Sequence, residues 1–296
     1  GVQTCALPIY PGTGFFRARM NGAFVEPFDP AEVNFHFTEA NAWQYSLYVP
    51  QDVPGLMKMM GGQEALADHL EKLFTVSSET SGRDQADITG LIGQYAHGNE
   101  PSHHMAYLYN WVGQPWKTQM RVRQIMEEMY SDQPDGLSGN EDCGQMSSWY
   151  VLSASGFYPV TPGEPVYSIG SPIFDTVRWS FEDGEQFTVI ALNNSPKNIY
   201  IQSAMLNGEP YDATYIDHFT MISGGELVLE MGSKPAEDWG VSDPIPKRDY
   251  QEWAGVTPAP FISPARRVFD DSVVVEIGCA RSEEHTSELQ SRQYLV

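Results

Sequence analysis

Residues 145–159 read Gln-Met-Ser-Ser-Trp-Tyr-Val-Leu-Ser-Ala-Ser-Gly-Phe-Tyr-Pro, and near them the chain changes from helical to β patterning. Residues 145–155 predict a helix, which Gly156 ends and Pro159 prevents from continuing. After Pro162 the spacing of apolar residues changes from a period of about 3.6 to a period of about 2. The sequence therefore predicts a helical part followed by a part built from strands.

Three further stretches upstream have helical spacing. They cover residues 64–74, 101–111 and 116–130, and the first of them puts its leucines and Phe74 on one face. Long polar loops rich in glycine join these stretches, and loops of more than about 12 residues are uncommon unless they are functional. Helices joined in this way are typical of a helical toroid whose loops build a pocket at one end.

The second half of the chain alternates apolar and polar residues between turn dipeptides such as Asp183-Gly184 and Asn207-Gly208. This alternation predicts an antiparallel β-sandwich. Residues 233–260 carry five prolines and predict a linker, assigned to residues 236–256, and residues 257–280 predict the first strands of another small β module. The predicted strands of the sandwich are residues 176–181, 187–192, 200–202 and 226–230.

Charge and composition exclude some classes of partner. The net charge is −22, from 17 Lys and Arg against 39 Asp and Glu. Nucleic acids need a basic face for their phosphates, so they are disfavoured as partners, and an uncharged glycan is compatible with this charge. The sequence contains no apolar run long enough to span a membrane. Its cysteines are too far apart for a zinc site, and Cys143 is interpreted as a structural thiol.

Polar and aromatic residues are concentrated in three short clusters, at residues 37–45, 97–104 and 139–145. Each cluster mixes carboxylates and amides or imidazoles with glycine, proline or aromatic residues. This mixture suits a polar pocket with aromatic walls, because sugar hydroxyls need many oriented hydrogen bonds and a sugar ring needs a flat apolar surface. The clusters therefore indicate a carbohydrate site.

The three clusters resemble motifs of the family 92 glycoside hydrolases, which are calcium-dependent exo-α-mannosidases. The resemblance covers roughly residues 14–235, and the motifs occur in the family's order: EANAWQY, HGNEPSHH, GQPWKTQ, GNEDCGQMSSWYV, GFYPV, YSIGSPIFD and YIDH. It implies an α + β multidomain fold with an N-terminal β-sandwich, an (α/α)₆ barrel and a C-terminal sheet region. The N-terminal β-sandwich and the first barrel helices are expected to be missing from this chain.

This resemblance leads to a prediction of the domain organisation. Residues 257–280 also resemble the chitobiase C-terminal type of module, and both ends resemble translated sequencing adapters. The predicted segments are a non-native tail at 1–9, a partial (α/α)₆ barrel at 10–162, a C-terminal β-sandwich region at 163–235, a linker at 236–256, a truncated β module at 257–280 and a second non-native tail at 281–296.

The activity implied by the resemblance is the release of terminal mannose with inversion of configuration, favouring α-1,2 linkages and assisted by Ca²⁺. Mannose-containing glycans are the expected substrates, and N-glycan degradation is the expected process. The family also implies a secreted, periplasmic or surface-lipoprotein location. Whether the fragment is active alone stays open.

Inversion requires two carboxyl groups about 6.5–9.5 Å apart, with a water molecule held by the base. The resemblance makes Glu39 the general acid and Asp142 the general base, with Asn140 beside it. Aromatic neighbours of Glu39 are expected to supply apolar surroundings that keep an acid protonated. The predicted substrate-binding residues are Trp43, Gln44, His97, His103, His104 and Glu141, and the predicted calcium ligands are Asn99, Glu100 and Gln94.

Other interpretations of the same residues remain open. The chain is alternatively an (α/α)₆ glycosidase of other specificity, or a carbohydrate-binding fragment without catalysis. Glu39 is alternatively a surface residue before a helix, and Asp142 a cap of the helix that follows it. An isolated histidine pair is more often packed or bonded to a sugar than bound to zinc.

Overall fold

The computed structural model describes residues 9–10, 12–20, 23–242 and 245, and the backbone of residues 261–264 and 275–278. The predicted non-native tails lie outside these residues, apart from Ile9. Residues 246–256 of the predicted linker also lie outside them.

Six α-helices occur in the described part of the chain. Short 3₁₀ helices lie at Pro50–Asp52, Glu100–Ser102 and Met105–Asn110. The α-helices are α1 at Ala42–Tyr45, α2 at Val53–Met60, α3 at Gln63–Thr75, α4 at Pro115–Glu128, α5 at Gln145–Ser155 and α6 at His218–Ile222.

The strands of the first half are short and form two-stranded pairs, whereas most strands of the second half build two larger sheets. The first eight are β1 Ile9–Tyr10, β2 Phe15–Phe16, β3 Arg19–Met20, β4 Ala23–Phe24, β5 Glu32–Val33, β6 Ser81–Gly82, β7 Leu91–Ile92 and β8 Tyr95–Ala96. The remaining described strands are β9 Phe157–Tyr158, β10 Val166–Ile169, β11 Thr176–Ser180, β12 Gln186–Leu192, β13 Tyr200–Leu206, β14 Glu209–Pro210, β15 Tyr215–Asp217, β16 Gly225–Gly232, β17 Phe261–Pro264 and β18 Val275–Gly278.

Helices α1–α5 pack on one apolar cluster, as the periodicity of α3 predicts. The leucines that α3 places on one face are fully buried in it, and Trp149 of α5 joins them. The prediction of an α-helix at residues 101–111 is wrong, because this segment forms two 3₁₀ helices on either side of His103. Pro101 at the start removes one backbone donor, and the aromatic side chains that follow are buried on all sides rather than on one face. The partial (α/α)₆ barrel stays a prediction.

The second half contains a three-stranded sheet in the order β15-β10-β9 and a five-stranded sheet in the order β11-β12-β16-β13-β14. Phe157, Ile169 and Ile216 of the smaller sheet share an apolar cluster with Phe187 and Leu229 of the larger one. The prediction of a wholly antiparallel arrangement is wrong at one pair, because β12 and β16 run parallel. Strands β17 and β18, within the predicted β module, pair antiparallel.

Polar side chains of the helical part bond to the backbone of the sheets. The Gln119 side-chain oxygen accepts a hydrogen bond from Ile201 N at 3.0 Å, and Asn110 donates to Ile169 O at 2.9 Å. Residues 1–245 form one compact unit and residues 246–296 a second, so the division falls within the predicted linker. The predicted boundary at residue 162 lies inside the first unit. Among the described residues, no helix has the length and apolar character that a membrane span requires.

The bond between Gln119 and Ile201 predicts a stability effect. Gln119→Met keeps the bulk of the side chain but leaves the buried Ile201 N–H without its acceptor, so the free energy of unfolding should fall by about 1–3 kcal/mol. Gln124→Met on the same helix is the control, because Gln124 bonds only to partly exposed side chains, Arg121 and Glu128. Urea unfolding of both variants measures the difference, and equal losses would contradict the prediction.

Candidate active site

Three loops bring carboxylates together near one end of the helical part. Glu39 lies in the loop before α1, Glu100 in the loop after β8, and Asp142 in the loop before α5. The Asn99 side chain donates to the Glu39 carbonyl oxygen at 3.3 Å, which joins the first two loops. Residues separated by about a hundred positions in the sequence thus share one region.

Backbone contact between two glycines joins the Glu100 loop to the Asp142 loop. A Cβ atom on Gly139 would lie 2.6 Å from the Gly98 Cα atom and 2.7 Å from its carbonyl oxygen. No side chain fits at such a distance, and backbone atoms cannot move aside as a flexible side chain can. The glycines at both positions therefore let the two loops approach more closely than any other residues would.

The Glu100 carboxyl interacts with both of the other carboxylates. Burial is the largest cause that raises its pKa, and the charge and hydrogen bonding of Asp142 and the charge of Glu39 raise the pKa further. Like charges around one carboxyl disfavour its ionised form. Glu100, Asp142 and Glu39 are therefore one electrostatic group, although Glu39 and Asp142 are exposed to solvent.

Two of these carboxylates lie on strained backbone. Glu39 has φ of 55° and Asp142 has φ of 48°, and Cys143 follows with φ of 58°. The other described non-glycine residues in this left-handed region are Asn193 and Asn207, which are common there in turns. Strained conformations are concentrated at functional sites, where they aim particular side chains. The strain supports the assignment of Glu39 and Asp142 to a site rather than to ordinary loops.

The structure places His97 and His103, which are predicted to contact the substrate, inside the protein, and their substrate contact stays a prediction. His97 is fully buried, and its ring nitrogens bond to the hydroxyls of Tyr95 and Tyr130 at 2.7 and 2.6 Å. The ring nitrogens of His103 bond to His97 O at 2.9 Å and to the Gln145 side chain at 3.0 Å. Burial lowers the pKa of both imidazoles, so they are neutral donors and acceptors inside the protein.

Four other predicted ligands are also buried in the structure. His104 bonds to Leu47 O at 2.8 Å, and Trp43 packs edge-on against Phe15 at 4.6 Å. Gln44 caps α1 through the backbone N–H of Asn41 and also donates to Gln94 O. The Gln94 amide accepts from Asn41 and donates to the carbonyls of residues 77 and 79. These contacts give His104, Trp43, Gln44 and Gln94 structural partners inside the protein, and their predicted roles as substrate or calcium ligands stay predictions.

The remaining predicted residues lie at the surface of the Asp142 loop. Asn140 is exposed and donates to Asp87 at 3.3 Å, and the Glu141 carboxylate accepts from the backbone and hydroxyl of Ser147. Cys143 is a free, exposed thiol, so it is not a buried structural residue as its sequence context suggested. Glu141 thus caps the start of α5, a role the sequence had suggested for Asp142.

Sequence reasoning expected aromatic neighbours of Glu39, Tyr45 among them, but missed Tyr48, which packs on Tyr45. The Tyr45 hydroxyl bonds to Thr38 and interacts with the charge of Glu39, while burial is the largest cause that raises its pKa. Tyr48 is 46% exposed and packs against Tyr45 and His104. The only available signal was the three-residue spacing of these tyrosines, which is also typical of a core helix.

Comparison with known proteins identifies the family. The profile of the catalytic domain of glycosyl hydrolase family 92 matches residues 9–233, which is most of the chain. The chain belongs to glycosyl hydrolase family 92. An uncharacterized secreted glycosidase of Arthroderma benhamiae is 31% identical over 205 residues, which cover 68% of this chain and 24% of that protein.

Solved structures of family 92 enzymes are similar in fold. An α-mannosidase of Bacteroides thetaiotaomicron is 40% identical with a TM-score of 0.74, over 82% of this chain and 32% of that one. An inverting mannosidase of the same organism is 38% identical with a TM-score of 0.71, over 80% of this chain and 33% of that one. The chain thus spans about a third of these family 92 structures and a quarter of the fungal relative.

The family 92 site offers oxygen atoms to a hard cation. The Glu100 Oε1 atom is buried and has no hydrogen-bond partner, and Asn99 precedes it in the same loop. Calcium prefers carboxylate, amide and carbonyl oxygens. Among the described residues, no three His, Cys, Asp or Glu side chains form a metal cluster. The residues therefore fit calcium in their donor chemistry, provided that amide, carbonyl or water oxygens complete the coordination.

The coupling of the carboxylates predicts a change in titration. Asp142→Asn removes a negative charge beside Glu100, so the Glu100 pKa should fall. It should stay above its ordinary value, because burial is the largest cause of the shift. Carbon-13 NMR titration of the glutamate carboxyls in metal-free buffer measures the change.

Asp87→Asn is the control, because Asp87 bonds to the Asp142 loop through Asn140 but is not a cause of the Glu100 shift. An unchanged Glu100 pKa in Asp142→Asn would contradict the coupling.

The pH dependence of the folding stability follows from the raised pKa of Glu100. A raised folded-state pKa makes the protonated carboxyl favour folding at low pH, and this contribution is lost as the pH rises through that pKa.

Proposed function

We propose that this family 92 chain carries the acid and base of an inverting exo-α-mannosidase that releases terminal mannose from glycans. The observation that supports it most is the grouping of Glu39, Glu100 and Asp142 from three loops, two of them on strained backbone. The similar solved structures include an α-mannosidase in complex with mannoimidazole and an inverting mannosidase. Because the chain spans about a third of these structures, the proposal applies to the complete polypeptide that contains it.

In the proposed reaction Glu39 acts as the acid. Its carboxyl donates a proton to the glycosidic oxygen, so that the departing sugar leaves as a neutral alcohol. Positive charge develops at the anomeric carbon at the same time, as in other glycoside hydrolases. The exposed position of Glu39 lets it reach a glycosidic oxygen, and the Asn99 bond to its carbonyl fixes its backbone.

Asp142 acts as the base in the same proposal. It accepts a proton from a water molecule, which attacks the anomeric carbon from the face opposite to the leaving group, and the configuration is inverted. Asn140 holds the loop through Asp87, and Glu141 fixes the start of α5 behind it. Placement of Asp142 on a loop anchored at both sides keeps the carboxylate oriented.

Calcium is proposed as the cofactor, with Glu100 and Asn99 as the residues of this chain that would hold it. A bound calcium ion supplies positive charge that binds sugar hydroxyl oxygens. The α-1,2 preference, the role in N-glycan degradation and a secreted, periplasmic or surface-lipoprotein location are proposed on the family resemblance. The fungal relative described as secreted supports the secreted location.

Substitution of the acid should affect substrates according to their leaving groups. Glu39→Gln should lower kcat/KM for an α-1,2-mannobiose by about 10²- to 10⁴-fold, because general acid catalysis contributes that much when the leaving group is poor. An activated aryl mannoside should lose far less, since its leaving group needs little protonation. Steady-state kinetics on both substrates in the complete polypeptide measure the difference.

Two variants complete this test. Asp142→Asn should harm both substrates, since the attacking water needs its base whatever group departs. Glu209→Gln replaces an exposed glutamate of β14 and should change neither. Equal losses on the two substrates for Glu39→Gln would exclude the acid role. Binding of mannobiose without turnover by the wild-type protein would favour the carbohydrate-binding alternative.

Calcium removal tests the cofactor. Chelation should abolish turnover while the circular dichroism of the helices is retained, and added calcium should restore activity without refolding. Glu100→Gln should raise the calcium concentration for half-maximal activity by roughly tenfold, because a carboxylate contact is worth about 1–2 kcal/mol more than a neutral one. Glu209→Gln should leave it unchanged. Full activity in chelator would remove calcium from the mechanism, and unfolding would make its role structural.

A further inference from the structure

Phe35 is the most exposed large apolar side chain in the described part of the chain, at 89% exposure. Its loop also carries Phe37, which is buried and packs on Tyr45 at 5.7 Å. The backbone N–H of His36 donates to the Asn34 side chain at 2.9 Å, so the loop is turned tightly at this point. The loop thus anchors one phenyl ring in the core and presents the other outward.

One face of the Phe35 ring is held by Arg83. The guanidinium carbon of Arg83 lies 4.6 Å from the ring centroid. The backbone places it there, because Arg83 N donates to Val33 O at 3.0 Å and β5 pairs with β6 beside it. A Cβ atom on Gly82 would lie 2.3 Å from Val33 O, so the strands approach this closely only with glycine at that position.

The Arg83 side chain on one face of the Phe35 ring fixes the orientation of the ring and leaves its other face open. A cation over an aromatic face is attracted by the ring quadrupole. A side chain that is already oriented loses less conformational entropy when a ligand packs on it. The arrangement therefore favours stacking of a flat, partly apolar ligand on the outer face of Phe35.

The segment that carries Phe35 is connected to the loops that carry the carboxylates. Phe35 lies four residues before Glu39 on the same loop. The segment that carries Arg83 continues to Asp87 and Thr89, which bond to Asn140 and Gly98 on the two other carboxylate loops. The segments that carry Phe35 and Arg83 are thus connected to all three carboxylate loops, by the chain at Glu39 and by hydrogen bonds at the other two.

We propose that Phe35 stacks against the sugar residue on the leaving-group side of the scissile bond. This inference rests on the proposed function, because an acid that protonates the leaving oxygen must have the departing sugar on its own side. A pyranose ring presents a face of C–H groups that packs on an aromatic ring, while its hydroxyls remain hydrated. Phe35 then selects glycans whose penultimate sugar can present that face.

Kinetics on two substrates test the stacking role of Phe35 in the complete polypeptide. An α-mannobiose has a sugar as its leaving group, whereas α-mannosyl fluoride has a leaving group too small to reach Phe35. Phe35→Ala should lower kcat/KM for the mannobiose by about three- to tenfold, the range expected for loss of one aromatic contact. It should change kcat/KM for the fluoride by less than about twofold, and Phe35→Tyr should restore the mannobiose value.

Two further variants sharpen this comparison. Phe219→Ala removes another phenylalanine, 62% exposed in α6, and should change neither substrate. Arg83→Met removes the cation below the ring, and it should lower kcat/KM for the mannobiose alone, by less than Phe35→Ala does.

Several outcomes would overturn the proposal. A fall on both substrates with a lower melting temperature would make Phe35 a packing contact with the rest of the polypeptide. No fall on the mannobiose, or an equal fall in Phe219→Ala, would show that the ring does not meet the sugar. A wild-type protein that hydrolyses neither substrate would refute the proposed function itself. An active wild type with an unaffected Phe35→Ala variant would refute only the stacking role of Phe35.

Discussion

The carboxylate group depends on a backbone contact that only glycine permits. Gly98 and Gly139 bring two loops so close that a single added Cβ atom would lie 2.6 Å from a backbone atom. These loops carry Glu100 and Asp142, and their approach causes part of the rise in the Glu100 pKa. A site for inversion needs its carboxyl groups at a defined separation. This contact between loop backbones brings Glu100 and Asp142 together.

Behind this contact lies a buried polar network. Tyr130 donates to Met146 O at 3.0 Å and bonds to His97, while Trp149 donates to His103 O at 2.9 Å. Both histidines lie in the Glu100 loop, and Trp149 and Met146 belong to the helix that follows Asp142. A buried network of this kind is rigid when every member is bonded. The polar residues near the site thus have two roles: the buried ones hold the loops, and the exposed carboxylates are left to meet a ligand.

The sequence predicted the longer helices and strands well, because their periodicity records which face is buried. Helix α3 and strand β12 agree with their predicted ranges within one residue at each end. The segment after Pro101 was less predictable, since its aromatic residues are buried on all sides and carry no periodic signal. The parallel pairing of β12 with β16 was also missed, because the alternation of apolar residues within a strand is the same for either direction.

The sequence by itself determined the family, the helical-then-β order and the three clusters in which the site residues occur. Only the tertiary structure decided which of those residues face solvent. A histidine, glutamine or tryptophan beside a catalytic motif looks the same in the sequence whether it binds a sugar or satisfies buried backbone groups. Their role depends on the burial and partners that distant segments provide, such as the carbonyl of Leu47 for His104 and the hydroxyl of Tyr130 for His97. Those contacts join residues 57 and 33 positions apart, beyond the range over which local sequence patterns carry information.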